Sequence, residues 1–420
     1  MHNAQCIIIF DNINLINFIN FINLINLLNY INQLNLNNIM KINRFFLMAA
    51  AGILFASCGA KQSETASLPE MPVILGESLL ADDSVHVNAH GGMIMEKDGV
   101  YYWYGEHRGD RTPGNGQKGV ALYTSTDLRN WANKGIVLSV IDSVGHPLEA
   151  GCTIERPKVI YNPATGKYVM WFHHELKGRG YAAAQAAVAV ADDPEGPFEF
   201  IGSARVNPGV YPLNLSEEDR KSAWDPEMEW WTEPWYEQLR HGSFVKRDLE
   251  GGQMARDMTL YVDNDGKAYH IYSSEDNLTL QIAELDSTYT HHTGRYIRVA
   301  PGGHNEAPTV FEKDGTYWMI TSGCTGWAPN AARLLRADSI MGEWTKLEEN
   351  PAKGEGAETT FDSQGTYVMK IGDNYTFMAD RWNPENLGDS RHLWIPILFD
   401  ESGTPYLTLP AATGTVTAEP

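Results

Sequence analysis

The feature that most constrains the fold of this chain is a β-hairpin pattern that occurs five times. Each copy has a strand of β-branched or aromatic residues, a tight turn built on Asp-Gly, Thr-Gly or Gly-Asp, and a second aromatic-rich strand, which strongly indicates a hairpin. The five hairpins are GMIMEKDGVYYWYGE (92–106), PKVIYNPATGKYVMWFHH (157–174), MTLYVDNDGKAYHIYSS (258–274), PTVFEKDGTYWMITSG (308–323) and TYVMKIGDNYTFMADRW (366–382).

More strand-like sequence follows each hairpin, and helical periodicity is scarce. Five units of about four strands, at a period in the range of propeller blades, predict an all-β fold, a five-bladed β-propeller over residues 75–412. An extended β-sandwich is the alternative architecture. Residues 207–256 break the repeat and read as an insertion between the second and third units, rich in tryptophan.

The N-terminal part of the chain reads as a leader. Residues 1–39 are low-complexity sequence of Asn, Ile, Leu and Phe, and we interpret them as a mis-called start. Residues 40–57 combine two basic residues with a short apolar run and small residues, the pattern of a secretory signal peptide. Cysteine follows at once, so we expect lipidation of Cys58, a polar tether at 58–74, and an exported lipoprotein anchored to a bacterial membrane, periplasmic or at the cell surface.

Composition narrows the class of ligand. A net charge of −21 argues against nucleic acid, whose phosphates are bound by basic patches. Only Cys152 and Cys324 follow Cys58, too few for a disulfide framework, and no spacing suggests a zinc site. With 12 Trp and 19 Tyr, the chain has many flat faces on which sugar rings stack, although most of these residues suit sheet cores equally well. We expect a monomer that binds an oligo- or polysaccharide.

Residues just before the innermost strand of each blade converge at one mouth of a propeller. In this sequence they are His90, Glu155, Asp257, Glu306 and Gln364. Grouped carboxylates repel one another, so at least one pKa should rise, and a carboxyl group with a raised pKa suits general acid catalysis. Surface carboxylates at strand ends are the structural alternative.

At these residues the chain resembles glycoside hydrolase family 43, whose members are five-bladed propellers that invert the anomeric carbon. The resemblance places the general acid at Glu306, in NEAPTV, and the aspartate that orients it and adjusts its pKa at Asp257, in ARDMTL. The family's general base is normally an aspartate before the first blade. This sequence has His90 there, in NAHGG.

A branch resembling exo-β-1,3-galactanases also lacks that aspartate, and its motifs match NAHGG, YWYGE, IERPKVIYN, TSGCTGW, DSQGTY and DRW in this chain. The resemblance implies that Glu155 and Gln364 handle the attacking water. We favour Glu155 as general base and Gln364 as the group that positions the water, because an amide oxygen is very weakly basic. His90 is the second candidate for the base, or a substrate contact. The resemblance further implies substrate-binding roles for Glu106, Tyr181, Asn277, Thr325, Trp327, Arg381 and Trp382.

The sequence thus predicts an inverting glycosidase that releases terminal sugars, with β-galactosyl units of β-1,3-galactan or arabinogalactan as the first choice. The first alternative is an α-L-arabinofuranosidase or β-xylosidase of the same family. The second alternative is a non-catalytic carbohydrate-binding lipoprotein. Part of the family holds calcium at the propeller axis, but Gln364 stands where a metal-associated histidine is often found. We therefore predict no metal and no cofactor.

Overall fold

The structure is a computed structural model that describes residues 70–109 and 117–410. The predicted signal peptide and Cys58 lie outside these residues, as does most of the predicted tether. Among the described residues, no helix is long and apolar enough to cross a membrane.

Five antiparallel sheets form five blades. Blade 1 contains β2 (His90–Lys97), β3 (Val100–His107), β4 (Gly119–Ser125) and β5 (Ala132–Ser139). Blade 2 contains β6 (Thr153–Asn162), β7 (Lys167–Glu175), β8 (Gln185–Ala191) and β9 (Glu199–Ala204). Blade 3 contains β10 (Met258–Val262), β11 (Ala268–Ser274), β12 (Thr279–Leu285) and β13 (His292–Val299). Blade 4 contains β14 (Asn305–Lys313), β15 (Thr316–Gly323), β16 (Arg333–Ala337) and β17 (Thr345–Lys346).

Blade 5 uses both ends of the propeller sequence. Its strands β18 (Gln364–Ile371), β19 (Asn374–Arg381) and β20 (Arg391–Phe399) are completed by β1 (Ile74–Leu75), with β21 (Pro405–Leu407) paired further along β20. Ile74 pairs with Trp394 and Leu75 with Leu393. The first strand therefore closes the ring of blades. A two-residue strand without a hairpin carries no sequence signal, so the sequence did not predict this closure.

The first strands of the blades, β2, β6, β10, β14 and β18, contact one another in circular order around the axis. This arrangement confirms the predicted five-bladed β-propeller and excludes the extended sandwich. Several tryptophans fill the space between blades: Trp103 lies 5.2 Å from Trp131 and 4.7 Å from Trp394 between ring centroids, and all three are buried. Such a buried large side chain contributes about 1.5–3 kcal/mol, so these rings serve the core.

The connection between β9 and β10 holds the insertion and three short helices, α1 (Glu217–Lys221), α2 (Glu233–Arg240) and α3 (Ser243–Arg247). Two 3-10 helices, Ala357–Thr359 and Leu387–Asp389, lie in later loops. Arg298 of β13 fastens α2 to blade 3, because its guanidinium donates to the carbonyls of Leu239 (2.7 Å) and Arg240 (2.8 Å). The carbonyls of the last helical turn lack the hydrogen bonds that continue within a helix, and Arg298 supplies donors to these two.

Candidate active site

Three predicted site residues occupy the same structural position because their inner strands carry a β-bulge there. The strand register shifts directly after His90, Glu155 and Glu306. The next residue has a positive φ in each blade: 58° at Gly91, 54° at Arg156 and 50° at Ala307. Bulges of this kind bend a strand and redirect its side chains, and they are frequent beside active sites. Here they give the three residues a shared placement at the start of the inner strand.

Arg156 joins site residues from three blades. Its Nη2 lies 3.0 Å from Asp257 Oδ2 of blade 3 and donates at 2.6 Å to Gln364 Oε1 of blade 5. Its Nη1 donates to the carbonyl of Gly365 at 3.0 Å, and the guanidinium lies 5.7 Å from the ring centroid of Trp382. A buried cation shared by a carboxylate and an amide holds both in place.

Glu306 has the properties of a general acid. Burial and the neighbouring charge of Asp257 raise its pKa to about 7, against the opposing effect of Arg156. Asn277 donates from Nδ2 to Glu306 Oε1 at 2.5 Å. A carboxyl group with this pKa remains substantially protonated at neutral pH and is able to donate its proton to a leaving group.

Asn277 reaches Glu306 from a strained turn. Glu275, Asp276 and Asn277 have successive φ values of 52°, 58° and 65°. Left-handed conformation costs each non-glycine residue about 1–2 kcal/mol, so three in a row require outside support. Glu275 receives two bonds of 2.7 Å from Arg298, and Asp276 Oδ2 accepts from Arg247 Nη1 of α3 at 2.6 Å. The insertion therefore helps to stabilise the turn that positions Asn277 beside Glu306.

Replacement of Arg247 by Met should impair the acid selectively. Loss of the bond to Asp276 loosens the turn, so kcat/KM on a natural glycoside should fall by about 3- to 10-fold, equivalent to about 0.7–1.4 kcal/mol. Activity on a dinitrophenyl glycoside, whose leaving group needs no proton, should stay within about 2-fold of wild type. Steady-state kinetics on both substrates measure this difference, with Arg247→Lys as the charge-retaining control. Equal losses on the two substrates would contradict the account.

Glu155 lies among several donors. Its Oε1 accepts from Arg108 Nη2 at 2.8 Å and from the Tyr181 hydroxyl at 2.9 Å, and its Oε2 lies 3.0 Å from His173 Nδ1. Burial raises the pKa of Glu155, but the contacts with His173 and Arg108 outweigh burial and hold the pKa below its usual range. Glu155 is therefore an ionised carboxylate at neutral pH. Its Oε1 accepts from two donors, whereas Oε2 has a close contact with His173.

Two further charged residues fix this environment. His173 lies between Glu155 and Glu175, whose Oε1 is 2.9 Å from Nε2, and these carboxylates outweigh burial and raise the pKa of His173 to about 9. Arg108 also forms an ion pair with Glu106, and burial raises the pKa of Glu106 to about 7. Arg108 and His173 thus place a positive charge on each side of the Glu155 carboxylate.

His90 is fully buried and turned toward blade 5. Its Nδ1 lies 3.4 Å from Asp380 Oδ1, and its ring stacks on His392 at 4.9 Å between centroids. Burial lowers the pKa of His90 to about 4 despite the carboxylate, so the imidazole is neutral at pH 7. Asp380 itself accepts from the Gly91 amide at 2.6 Å. His90 is thus part of a structural network, which lowers its value as a general base.

The bonds of Gln364 suit a positioning group. Its Oε1 accepts from Arg156 at 2.6 Å and from Trp382 Nε1 at 3.0 Å, while Nε2 donates to Ser322 Oγ at 3.0 Å. Both acceptor positions of the amide oxygen are used, and a neighbouring cation further reduces its basicity. Among the described residues no hydrogen bond uses its other N–H, which can donate to a water molecule.

The other residues predicted to contact the substrate are Trp327, Trp382, Thr325 and Arg381. Trp382 and Trp327 lie 5.3 Å apart between ring centroids, and Trp327 is 40% exposed, so together they offer an aromatic wall beside Gln364. Thr325 accepts from Asn330 at 2.7 Å and belongs to an exposed loop. The Arg381 guanidinium donates to the carbonyls of Phe361 (3.0 Å) and Leu75 (2.6 Å), and its contact with substrate stays a prediction.

Two groups of described residues combine metal-ligating side chains within 4.8 Å: His90 with Asp380 and His392, and Glu155 with His173 and Asp257. In the first group the Nδ1 atoms of His90 and His392 lie 3.4 and 2.9 Å from Asp380 Oδ1, which are hydrogen-bond distances. In the second, the contacts of His173 with Glu155 and Glu175 are ion pairs. Hydrogen bonds and ion pairs account for these contacts. That the enzyme requires no metal stays a prediction.

Comparison with known proteins identifies the family. Residues 228–405 match the model of the glycosyl hydrolases family 43. The structure of the family 43 β-1,3-galactosidase BT3683, with galactodeoxynojirimycin, is 57% identical, has a TM-score of 0.78, and the match covers 80% of this chain and 99% of that one. The chain belongs to glycosyl hydrolase family 43. No curated protein gave a significant match.

Two other similar structures are more distant. The exo-β-1,3-galactanase 1,3Gal43A of Clostridium thermocellum is 32% identical, with a TM-score of 0.64 over 81% of this chain and 65% of that one. The exo-β-1,3-galactanase Pc1,3Gal43A of Phanerochaete chrysosporium, with galactose, is 30% identical, with a TM-score of 0.63 over 80% and 66%. Membership of family 43 makes this chain a glycosidase that hydrolyses O-glycosyl bonds.

Sequence reasoning missed the cations of the family 43 site. Arg156 and Lys158 lie in β6, and Lys158 Nζ donates to the Gly91 carbonyl at 2.7 Å. Burial lowers the pKa of Lys158 to about 7. The five residues IERPK include three charged side chains inside a strand with apolar neighbours. This pattern indicates that the charges pair with other groups, because buried charges need partners. Arg108 and His173 gave no comparable signal.

Proposed function

We propose that this family 43 enzyme removes terminal β-galactosyl units from β-1,3-galactan or arabinogalactan chains, with inversion. The observation that carries the proposal is the 57% identity to a β-1,3-galactosidase over nearly the whole length of that protein. The exo-β-1,3-galactanases among the similar structures support the same substrate class.

The proposed mechanism uses the geometry described above. Glu306 donates its proton to the glycosidic oxygen while Asp257 and Asn277 control its charge and orientation. Glu155 accepts the proton of a water molecule on the opposite face of the sugar, with Gln364 positioning that water. Inverting enzymes separate acid and base by about 6.5–9.5 Å so that water fits between them. His90 and Glu106 support the pocket for the terminal sugar, and Trp327 and Trp382 stack on the substrate.

A non-catalytic sugar-binding protein is the less suitable candidate. Sugar binding needs aromatic faces and hydrogen bonds, but it does not need a buried carboxyl group whose pKa is raised to about 7. A carboxyl group of this kind, next to Asp257 and bonded by Asn277, fits proton donation.

The experiment that tests the proposal is a substrate screen of a chain that begins after the tether. We expect hydrolysis of an aryl β-galactoside, followed by release of galactose from galactan and arabinogalactan. Turnover confined to an aryl α-arabinofuranoside or β-xyloside would replace the proposal with the alternative activities of the family. Binding of galactan without hydrolysis would indicate the carbohydrate-binding alternative.

We also propose that the enzyme is an exported lipoprotein anchored through Cys58, from the signal-like sequence at 40–57. A chain that begins at Met40 and carries Cys58→Ala should lose membrane association, because the acyl chains attached at that cysteine supply the apolar anchor. Cell fractionation and labelling with radioactive palmitate measure this loss against the unaltered chain. An unchanged membrane fraction, or residues 1–39 detected on the mature protein by mass spectrometry, would contradict the proposed leader.

A further inference from the structure

The insertion exposes two tryptophans beside the proposed active site. Trp230 is 44% exposed and Trp231 is 60% exposed, while Trp235 of the same segment is buried. Trp231 also has a φ of 68°, a left-handed conformation that is unusual for a bulky residue. A large aromatic ring held outward by a strained backbone is a feature that often marks a ligand contact.

The position of Trp231 is fixed by His304. The two rings stack at 5.7 Å between centroids and 30° between planes. Tyr236 of α2 holds the same imidazole, with its hydroxyl 2.9 Å from His304 Nε2. The His304 amide donates at 3.3 Å to the carbonyl of Leu278, directly after the strained turn. His304 precedes Glu306 by two residues, so the platform lies on the side of the site that carries the acid.

That side receives the leaving group. A general acid donates its proton to the glycosidic oxygen, the atom that joins the terminal sugar to the remainder of the chain. The remainder must therefore leave the site next to Glu306. His304 also borders an open surface cavity with Cys324, Thr325 and Asn330, so open space adjoins the imidazole on which Trp231 stacks.

We propose that Trp231 is a platform for a sugar ring on the leaving-group side, beyond the ring next to the cleaved bond. This inference rests on the proposed function and names its substrate class, a neutral galactan chain of at least three sugars. A neutral ligand suits a chain with a net charge of −21. The apolar face of a pyranose ring packs on the exposed indole, while its hydroxyl groups remain in water.

The test compares substrates of different length. In Trp231→Ala, kcat/KM on β-1,3-galactotetraose should fall by about 5- to 10-fold, whereas kcat/KM on β-1,3-galactobiose and on an aryl β-galactoside should stay within about 2-fold. Trp231→Phe should lose less activity on the tetraose than Trp231→Ala does, because it keeps an aromatic face. Leu213→Ala is the matched control, since Leu213 is an exposed apolar residue of the same insertion at 49%.

The outcomes separate this inference from the proposed function. If wild type hydrolyses the galactosides and Trp231→Ala is unchanged on the tetraose, the platform is refuted while the proposed function stands. Equal losses on the tetraose and the aryl galactoside, or a lowered Tm in Trp231→Ala, would assign the tryptophan to structure and also refute the platform. If wild type hydrolyses none of the galactosides, the proposed function fails and the platform fails with it.

Discussion

Glu306→Gln should nearly abolish hydrolysis of β-1,3-galactobiose while sparing much of the activity on a dinitrophenyl β-galactoside. Proton donation to the leaving group is worth about 10²- to 10⁴-fold when the leaving group is a sugar. A dinitrophenolate leaves without a proton, so the variant should lose little on that substrate. The Gln side chain keeps the volume of the acid, and Asn277 can still bond to it, which limits structural change.

The pH profile gives an independent reading of the same residue. Burial and Asp257 raise the pKa of Glu306 to about 7, and the group is active only when protonated. For galactobiose, kcat/KM should therefore decline as pH rises through about 7. For the dinitrophenyl galactoside, the part of this decline that comes from Glu306 should be absent. If Glu306→Gln lost its activity on both substrates, Glu306 would not be the general acid. The same would follow if kcat/KM of the wild type declined identically with rising pH on both substrates.

Glu155→Gln should be inactive on both substrates, because activation of water is needed whatever the leaving group is. We expect a loss of about 10²- to 10⁴-fold, the usual contribution of a general base. Azide is a nucleophile that needs no deprotonation, so it should restore turnover of the dinitrophenyl galactoside and give a galactosyl azide. Kinetics with and without azide, together with identification of that product, measure the effect.

His90→Asn is the matched control for the base. His90 is fully buried, its pKa is lowered to about 4, and Asp380 retains its bonds from Gly91 and His392 in the variant. The variant should mainly raise KM, the pattern of lost uniform binding. If His90→Asn abolished turnover and azide restored it while Glu155→Gln remained active, the imidazole would be the base in place of Glu155.

The sequence predicted the propeller because each blade begins with a hairpin, and hairpin signals are local. It also predicted contacts across blades, because equivalent positions in a closed ring converge. Arg156 of blade 2, which the sequence did not single out, contacts both Asp257 of blade 3 and Gln364 of blade 5, so these two predicted positions lie within reach of one guanidinium. A repeat thus turns local pattern into a prediction about distant residues.

Other features depend on tertiary contacts that no local pattern records. The left-handed turn at Glu275, Asp276 and Asn277 contains no glycine, so the sequence gives no sign of it; Arg298 and Arg247 stabilise it from blade 3 and from the insertion. The direction of the Arg381 side chain follows from strand β1, which the sequence did not predict. Burial and charge pairing, which set the pKa values of the site, likewise become visible only in the folded chain.

The stereochemistry of the first product tests the central claim most directly. Proton NMR during hydrolysis of β-1,3-galactobiose distinguishes the anomer that the enzyme releases before mutarotation. The account predicts α-galactose as the first signal, since water attacks the face opposite the leaving group in a single displacement. β-Galactose as the first signal would contradict inversion and the roles proposed for Glu306 and Glu155.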